Sequence, residues 1–221
     1  MAQVTTPPLT ILDVGSGDSW FATQLLADLP PGAIIDCWDA NYTDADLSES
    51  IDSRIRRCAT PPAETYPLVM ALDVFEHVKD VEEFVRDEVA CRVAPGGLLV
   101  ASVPAHQCLF TRHDEALGHF RRYSRADLRS LLAPSFTIVT EGSLFATLLA
   151  PRATQKLREK VFSLRAPEVH VDSAWTHGPA ITGVVTAALN ADARSALALR
   201  RLRVRLPGLS EWAVCRPDSD Q

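Results

Sequence analysis

The segment 9–19, LTILDVGSGDS, constrains the fold of this chain more than any other stretch. Its apolar start is typical of a buried strand, its two glycines of a tight turn, and its last residues of the beginning of a helix. A buried strand that ends in a glycine-rich turn before a helix is how α/β sheets present backbone to a nucleotide-like ligand. We therefore expect an α/β fold with a ligand site at this turn.

The charges around the turn favour one cofactor over another. Asp13 and Asp18 flank the turn, and no lysine or arginine occurs before Arg54. A dinucleotide pyrophosphate would meet uncompensated carboxylates here, whereas the amino and sulfonium groups of S-adenosylmethionine would be attracted. Trp20 also stands where the dinucleotide fingerprint needs a small third residue. These features favour S-adenosylmethionine over NAD(P). The alternative is a simple strand-to-helix turn that binds no ligand.

Composition predicts one ordinary domain. The chain has 221 residues, of which 47% are hydrophobic and 23% charged. No apolar run reaches the roughly 18–20 residues of a membrane span, and no basic segment followed by an apolar run marks a secretion signal. The five cysteines are scattered and form no C-x-x-C pair, which is typical of reduced thiols. We expect a cytoplasmic protein, and the net charge of −6 argues against a nucleic-acid partner.

Charge is distributed unevenly along the chain. Residues 1–100 hold 6 Lys/Arg against 17 Asp/Glu, whereas residues 151–221 hold 11 against 7. The acidic part would suit a cationic cofactor, and the basic part an anionic acceptor or a membrane surface. Solvated helix faces are the alternative for the basic residues. The candidates for peripheral membrane contact are Arg152, Lys156, Lys160, Arg200, Arg201, Arg203 and Arg205.

Strand and helix patterns alternate through the first 140 residues. The predicted strands are 9–14, 33–38, 54–58, 67–72, 98–103 and 136–140, followed by a last strand at 211–216. This order predicts a Rossmann-like, doubly wound sheet that is mostly parallel, with an antiparallel last strand. The chain is interpreted as a single domain, 1–221. A helical insertion over 143–206 is expected to act as a lid or acceptor-binding element.

Four motifs in order resemble those of class I S-adenosylmethionine-dependent methyltransferases. They are Asp13-Val14-Gly15-Ser16-Gly17 after the first strand, Asp39 after the second, Asp73-Val74-Phe75-Glu76-His77-Val78 after the fourth, and Ala94-Pro95-Gly96-Gly97 before the fifth. The resemblance covers roughly residues 9–140 and resumes at the closing strand. It implies methyl transfer, S-adenosylmethionine as cofactor, and a seven-stranded sheet whose last strand is antiparallel and inserted beside the sixth.

The resemblance also implies a cofactor site. Asp39, which lies 22 residues beyond Gly17, would accept hydrogen bonds from both ribose hydroxyls; a local turn residue is the alternative. The acidic residue that often contacts adenine after the third strand is missing, so that contact falls to backbone near Ala59. The implied cofactor residues are Asp13, Gly15, Ser16, Gly17, Asp39, Ala40, Asn41, Ala59, Leu72, Asp73 and His77.

The segment 113–123, HDEALGHFRRY, is dense in functional side chains. It resembles the sub-pattern H-D-x-x-x-G-H-x-R-R-Y of bacterial small-molecule and glycan-related methyltransferases. An arginine of this segment would pair an anionic acceptor in fork geometry. In the alternative interpretation, Arg122 and Tyr123 brace the loop against the sheet. The acceptor-binding candidates are Pro104, His113, Asp114, Arg121 and Arg122.

Histidines are the candidate general bases. If the acceptor atom is a hydroxyl, its proton must be taken, and His77, His113 and His119 are placed for this task; a structural hydrogen bond is the alternative for His77. The spacing of the histidines in segment 113–123 matches no zinc pattern, and no metal is predicted.

The expected function is in-line methyl transfer to a small-molecule, lipid-linked or glycan-related acceptor. Two rivals stay open at this point. One is a non-catalytic S-adenosylmethionine-binding or scaffold protein. The other is an NAD(P)-dependent oxidoreductase, which the acidic turn and Trp20 disfavour.

Overall fold

A seven-stranded mixed sheet forms the centre of the molecule in the computed structural model, which describes residues 9–161, 178–202, 204 and 206–218. The strands are β1 (Thr10–Val14), β2 (Ile34–Trp38), β3 (Ile55–Cys58), β4 (Tyr66–Leu72), β5 (Val93–Pro104), β6 (Phe136–Leu144) and β7 (Ser210–Pro217). Their order is β3-β2-β1-β4-β5-β7-β6. The first five strands pair in parallel, and β7 runs antiparallel to both β5 and β6. The predicted Rossmann-like sheet with an antiparallel last strand is confirmed.

Helices connect the strands. They are α1 (Trp20–Leu25), α2 (Asp44–Ser48), α3 (Val81–Glu83), α4 (Arg112–Ala116), α5 (Arg125–Leu132), α6 (Leu149–Val161) and α7 (Pro179–Arg201). The chain after α3 continues as a π-helical turn, Phe84–Val89, and a 3₁₀ turn, Ala90–Arg92. Both α6 and α7 lie within the predicted insertion 143–206, although β6 runs on to Leu144 and so delays its start. Residues 162–177 of this insertion lie outside the described residues.

Apolar side chains are buried on both faces of the sheet. One cluster joins Ile11 and Ile35 of the sheet to Ala22 and Leu26 near α1. A second, larger cluster includes Phe75 together with side chains of α3, α5 and the strands. Because each buried large apolar side chain contributes about 1.5–3 kcal/mol, these two layers hold the helices against the sheet and keep the strand ends in register.

The orientation of α1 differs from its prediction. The apolar spacing of Phe21, Leu25, Leu26 and Leu29 predicts that they share one buried face, but Phe21 is 42% exposed, whereas Ala22 and Leu26 are buried. Trp20 is 64% exposed and its indole lies outside the helix–strand contact. The argument that Trp20 excludes a dinucleotide by its bulk is therefore wrong, since the side chain does not occupy the space that the fingerprint reserves for a small residue.

The glycines at 96–97 lie inside β5, not in a turn before it. The pairing of β4 with β5 shifts register between Tyr66 and Leu68, which marks a bulge. Gly96 has a φ of +76°, and a Cβ on Gly97 would stand 2.9 Å from the carbonyl oxygen of Ala94. The glycines are needed here because two backbone segments approach too closely for a side chain.

Helix caps agree with the sequence in one case and depart from it in another. Ser124 and Asp127 form the expected capping box at α5. Asp80 stands three residues before Glu83, a spacing that predicts a capping box, but its side chain makes no cap at α3. Within the described residues, no helix combines the length and apolar character needed to cross a membrane.

Candidate active site

The glycine turn after β1 lies against β2 and β4. The amide of Gly15 donates to the carbonyl of Trp38 at 2.7 Å. Gly15 has a φ of +66°, and a Cβ there would stand 2.7 Å from Cγ2 of Val74. Both the conformation and the close approach of Val74 require glycine at this position. The turn thus places the carboxyl ends of three neighbouring strands around one space.

Asp39 ties the glycine turn to the loop after β2. One carboxylate oxygen accepts the amide of Gly17 at 2.9 Å, and the other accepts the amide of Asn41 at 2.9 Å. Each carboxylate oxygen has a further lone pair that remains for a ligand hydroxyl. The sequence prediction placed Asp39 near this turn, and the structure brings the two into direct contact.

A cleft of about 460 Å³ opens beside Asp39 and the glycine turn. Its volume suits a small-molecule ligand. Of the predicted cofactor residues, seven line the cleft: Gly15, Gly17, Asp39, Ala40, Asn41, Asp73 and His77. The other four, Asp13, Ser16, Ala59 and Leu72, do not belong to this lining.

Sequence reasoning missed the apolar wall of the cleft. The wall consists of Val14, Trp38, Val74, Val78 and Phe84, and the rings of Trp38 and Phe84 lie 5.9 Å apart. Val14 and Trp38 end β1 and β2, so the rule that ligands bind at the carboxyl ends of parallel strands could have found them. Phe84 comes from the turn after α3 and carries no comparable signal.

Asp13 lies under the turn and is only 3% exposed. Burial raises the pKa of Asp13 to about 7, and the charge of Asp39 adds to the effect. A carboxyl group held in this way gains stabilisation from any cation that binds nearby. Its neighbourhood therefore favours a positively charged ligand in the cleft.

Arg57 places a cation near the glycine turn, although the sequence has no lysine or arginine before Arg54. Its guanidinium, 7% exposed, donates to the carbonyl of Asp18 at 2.7 Å and to Oγ of Ser19 at 3.0 Å. It also lies over the ring of Tyr42. Because these contacts lie outside the cleft lining, the cleft itself keeps the two carboxylates Asp39 and Asp73. Arg57 ends up here through the register of β3, which the sequence does not reveal.

Glu76, His77 and His119 form a group at the border of the cleft. One ligand-type atom of each lies within 4.8 Å of the others, and the two imidazole rings are perpendicular with centroids 4.5 Å apart. Glu76 is fully buried; burial raises its pKa to about 8, and the charge of Asp73 contributes. Burial lowers the pKa of both histidines. His119 of segment 113–123 thus lies next to His77, which follows β4.

Asp114 is the centre of a buried ionic network. Its carboxylate pairs with Arg122 at 2.7 Å and with Arg152 of α6, and it accepts the amide of Thr111 at 2.7 Å. Nδ1 of His119 lies 3.2 Å from the same carboxylate. Burial alone would raise the pKa of Asp114, but the hydrogen bonds from Arg122 and Thr111 outweigh it and hold the pKa at about 2.

This network changes the role of two predicted acceptor residues. Asp114 and Arg122 are buried and pair with each other, which is the arrangement expected of residues that hold segment 113–123 in place. Tyr123 supports the same conclusion, since its hydroxyl donates to the carbonyl of Phe75 at 3.0 Å. The alternative in which Arg122 and Tyr123 brace the loop is the one that the contacts favour.

The remaining acceptor candidates are placed as follows. Arg121 donates to the backbone carbonyl of Lys79 at 2.6 Å. Pro104 is buried at the end of β5, where its carbonyl accepts the amide of Tyr123. His113 is half-buried on α4 and lies outside the group of Glu76, His77 and His119.

Two of the predicted membrane-facing cations are engaged with the protein. Arg152 is buried against Asp114, and Nζ of Lys156 donates to the carbonyl of Phe110. These contacts fasten α6 to Asp114 of segment 113–123 and to the loop before α4, so both side chains have partners within the protein. Residues 203 and 205 and the side chain of residue 200 lie outside the described residues.

A family model described as a methyltransferase domain matches residues 1–135, more than half of the chain. The chain belongs to this methyltransferase family. A comparison of its sequence with curated proteins gives no match.

Solved structures with the same fold agree with this assignment. This chain is similar to a chain in the complex between the Haloferax volcanii Trm112 methyltransferase activator and a methyltransferase. The identity is 13% and the TM-score 0.57, over 99% of this chain and 86% of that chain. Coclaurine N-methyltransferase bound to N-methylheliamine and SAH matches with 12% identity and a TM-score of 0.57, over 96% and 66%. The [4+2]-cyclase SpnF matches with 15% identity and a TM-score of 0.56, over 96% and 76%.

These comparisons establish the class of reaction. The protein is a class I methyltransferase, the class of enzyme that takes its methyl group from S-adenosylmethionine. An NAD(P)-dependent oxidoreductase and a non-catalytic scaffold are thereby set aside. The likenesses to solved structures show the fold alone, because every identity is low, and they leave the acceptor undecided.

The raised pKa of Asp13 predicts a specific pH dependence of stability. The folded carboxyl has a pKa of about 7, against about 4 in the unfolded chain. The folded state therefore binds more protons between these values, and stability falls as pH rises from about 4 to about 7 and then levels off. At pH 8, Asp13→Asn should be more stable than the wild type by up to roughly 4 kcal/mol, and the two should converge near pH 4.

Urea unfolding at both pH values measures this difference. The exposed Asp28 gives a matched control, and Asp28→Asn should follow the wild type at every pH. A constant difference between Asp13→Asn and the wild type across the range would contradict the assigned titration.

Proposed function

We propose that this methyltransferase transfers the methyl group of S-adenosylmethionine to an oxygen or other heteroatom of a small-molecule, lipid-linked or glycan-related acceptor. The observation that carries the proposal is the acidic cleft built around Asp39, whose two carboxylate oxygens hold the amides of Gly17 and Asn41. In this arrangement the ribose hydroxyls donate to Asp39, and the cationic methionine end meets the acidic surroundings of Asp13.

The apolar wall suits the rest of the cofactor. Trp38, Val78 and Phe84 offer flat, dry surface for an adenine ring beside Ala40 and Asn41. Asp73 and His77 lie at the other part of the lining, where the reacting methyl group would be presented. We expect the acceptor next to His77 and His119, because segment 113–123, which holds most of the acceptor candidates, brings His119 against His77.

The reaction needs alignment more than chemical activation, because the cofactor brings an activated methyl group. The acceptor heteroatom attacks the methyl carbon in line with the carbon–sulfur bond. As the new bond forms, that bond breaks and its electron pair remains on sulfur, which leaves as S-adenosylhomocysteine. A hydroxyl acceptor also releases a proton, and His77 and His119 lie where that proton must leave. His113 is not part of this group.

The insertion supplies the acceptor side of the proposal. α6 is fastened to segment 113–123 by Arg152, which pairs with Asp114, and to the loop before α4 by Lys156, which donates to the carbonyl of Phe110. It is thereby held as a cover next to His119, which fits an acceptor-binding element better than a freely opening lid. An anionic acceptor headgroup and a peripheral membrane contact stay predictions, now without Arg152 and Lys156 as their cations.

Calorimetry tests the cofactor part directly. We expect S-adenosylmethionine and S-adenosylhomocysteine each to bind with a dissociation constant on the order of micromolar, typical of cofactor sites of this size. NAD serves as the matched negative ligand and should give no heat. Binding of NAD in preference to S-adenosylmethionine would overturn the assignment of the cleft. If S-adenosylmethionine binds, methyl transfer to a component of a cell extract identifies the acceptor.

A further inference from the structure

Glu76 is a buried polar group whose carboxylate has no hydrogen-bond partner among the described residues. The side chain is fully buried, and both of its carboxylate oxygens lack a hydrogen-bond partner in the described part of the chain. Buried polar atoms are nearly always satisfied, and an unsatisfied buried carboxylate costs free energy. Two oxygens left open on one side chain therefore call for a ligand that the protein itself does not provide.

The open carboxylate faces two imidazoles. His77 and His119 come from different parts of the chain, yet each presents a ring nitrogen within 4.8 Å of the other two ligand-type atoms of the group. A backbone hydrogen bond, 2.8 Å from the amide of Phe120 to the carbonyl of Glu76, fixes the two segments side by side. The three donors are thus brought together by the fold and held there.

A carboxylate orients one of these imidazoles from behind. Nδ1 of His119 lies 3.2 Å from Asp114, whose carboxylate already accepts from Arg122 and Arg152. Because an ionised carboxylate can only accept, Nδ1 carries the proton in this pair, which leaves Nε2 with the free lone pair that a metal ion needs. A histidine backed by a carboxylate is the usual outer arrangement of a metal-binding imidazole.

We propose that Glu76, His77 and His119 form a zinc-class divalent metal site at the border of the cofactor cleft, with one coordination position left for an oxygen of the acceptor. Two imidazoles and one carboxylate are the donors that zinc takes in open, reactive sites, whereas magnesium and calcium prefer oxygen alone. Tetrahedral zinc places neighbouring ligands about 3.4 Å apart. The three side chains therefore close in by roughly an ångström when the ion binds.

The position of the site suggests its use, and this part rests on the proposed function. His77 belongs both to the ligand group and to the lining of the cleft, so the open position of the metal faces the place of the reacting methyl group. A hydroxyl that replaces water on the metal would lose its proton to solvent more readily. With the metal bound, His77 and His119 therefore act as ligands and no longer as the base. Its oxygen then attacks the methyl carbon as the carbon–sulfur bond breaks. The class of acceptor is thereby narrowed to molecules that offer a hydroxyl.

Metal content and the cobalt spectrum test the site without any activity measurement. The full chain is freed of metal, loaded with Zn²⁺ or Co²⁺ and desalted, and the bound metal is counted by mass spectrometry. We expect one ion per chain, and visible absorption bands of four- or five-coordinate Co²⁺. Glu76→Gln and His119→Asn should weaken binding by more than the roughly 10–100-fold that loss of an outer partner costs.

The control is His113→Gln, since His113 belongs to the same segment but lies outside the group. It should bind one ion, as the wild type does. Glu76→Gln keeps the buried shape, and if it does not fold, the less buried His119→Asn decides. Absence of bound metal in the wild type, or equal metal in wild type and His119→Asn, would overturn the site. Calorimetry with S-adenosylmethionine on the metal-free chain separates this failure from failure of the proposed function.

Discussion

Asp114→Asn is expected to destabilise the protein by about 3–5 kcal/mol, because removing one member of a buried ion pair leaves the others uncompensated. Asp114 is fully buried and meets both Arg122 and Arg152, which are themselves buried. Asparagine has nearly the same shape, but it removes the negative charge and presents an amide group to two guanidinium groups. For a chain of this size the melting temperature should fall by roughly 6–20 °C.

Asp127 provides a matched control for this prediction. Asp114 and Asp127 both accept backbone amides in capping boxes, at α4 and α5. Within the described residues Asp127 forms no ion pair with an arginine, and its cap is exposed. Asp127→Asn should therefore cost no more than about 1 kcal/mol. Thermal and urea unfolding of the two variants measure the contrast. Similar losses would show that the arginine pairs add nothing beyond the cap.

The same substitution should remove part of the acid sensitivity of the fold. Asp114 has a folded pKa of about 2, below its value of about 4 in the unfolded chain. Its stabilising contribution is therefore complete above pH 4 and is lost as pH falls towards 2. The difference in stability between wild type and Asp114→Asn should shrink over this window. A difference that stays constant down to pH 2 would argue against an ionised Asp114 in the native state.

Asp39→Ala is expected to weaken S-adenosylmethionine binding by about 10–100-fold, which corresponds to the roughly 1.5–3 kcal/mol of hydrogen bonds to a charged group. The variant loses the acceptors for the ribose hydroxyls and also releases the amides of Gly17 and Asn41. Asp39→Asn keeps one acceptor oxygen and should fall between alanine and the wild type.

Calorimetry of the folded variants measures this effect, with a melting curve to confirm that each is native. Asp28→Ala removes the same charge from an exposed position and should bind the cofactor as the wild type does. An unchanged affinity in Asp39→Ala would show that the ribose lies elsewhere in the cleft.

Local sequence signals were sufficient for the elements of the cofactor cleft. Segment 9–19 predicts a strand, a turn and the beginning of a helix; the described structure has β1 and the glycine turn there, and α1 begins directly after it at Trp20. Asp39 could be assigned to the turn because the carboxyl ends of adjacent parallel strands meet at one edge of the sheet. The glycines at 96–97 were found but misassigned, since a strand bulge and a tight turn use the same residue for the same freedom of φ.

Long-range packing decided what the polar side chains of segment 113–123 do. The sequence lists Asp114, Arg122 and His119 as acceptor or catalytic candidates, but burial and pairing separate them: the first two bind each other, and His119 turns towards Glu76 and His77. Arg57 and Arg152 reach the site region from distant elements. No periodicity or motif spacing encodes such contacts.

The sequence by itself determined the fold class, the edge of the sheet where a ligand binds, and the acidic character that suits a cationic cofactor. These properties follow from hydrophobic periodicity, from glycine conformation and from the acidic residues beside the glycine turn. Each of these signals is contained in a few neighbouring residues. Only the tertiary structure decided which charges are buried and paired, and that an unpartnered Glu76 meets two histidines. Such outcomes depend on the register and packing of segments far apart in the chain, and burial sets the free energy of each charge.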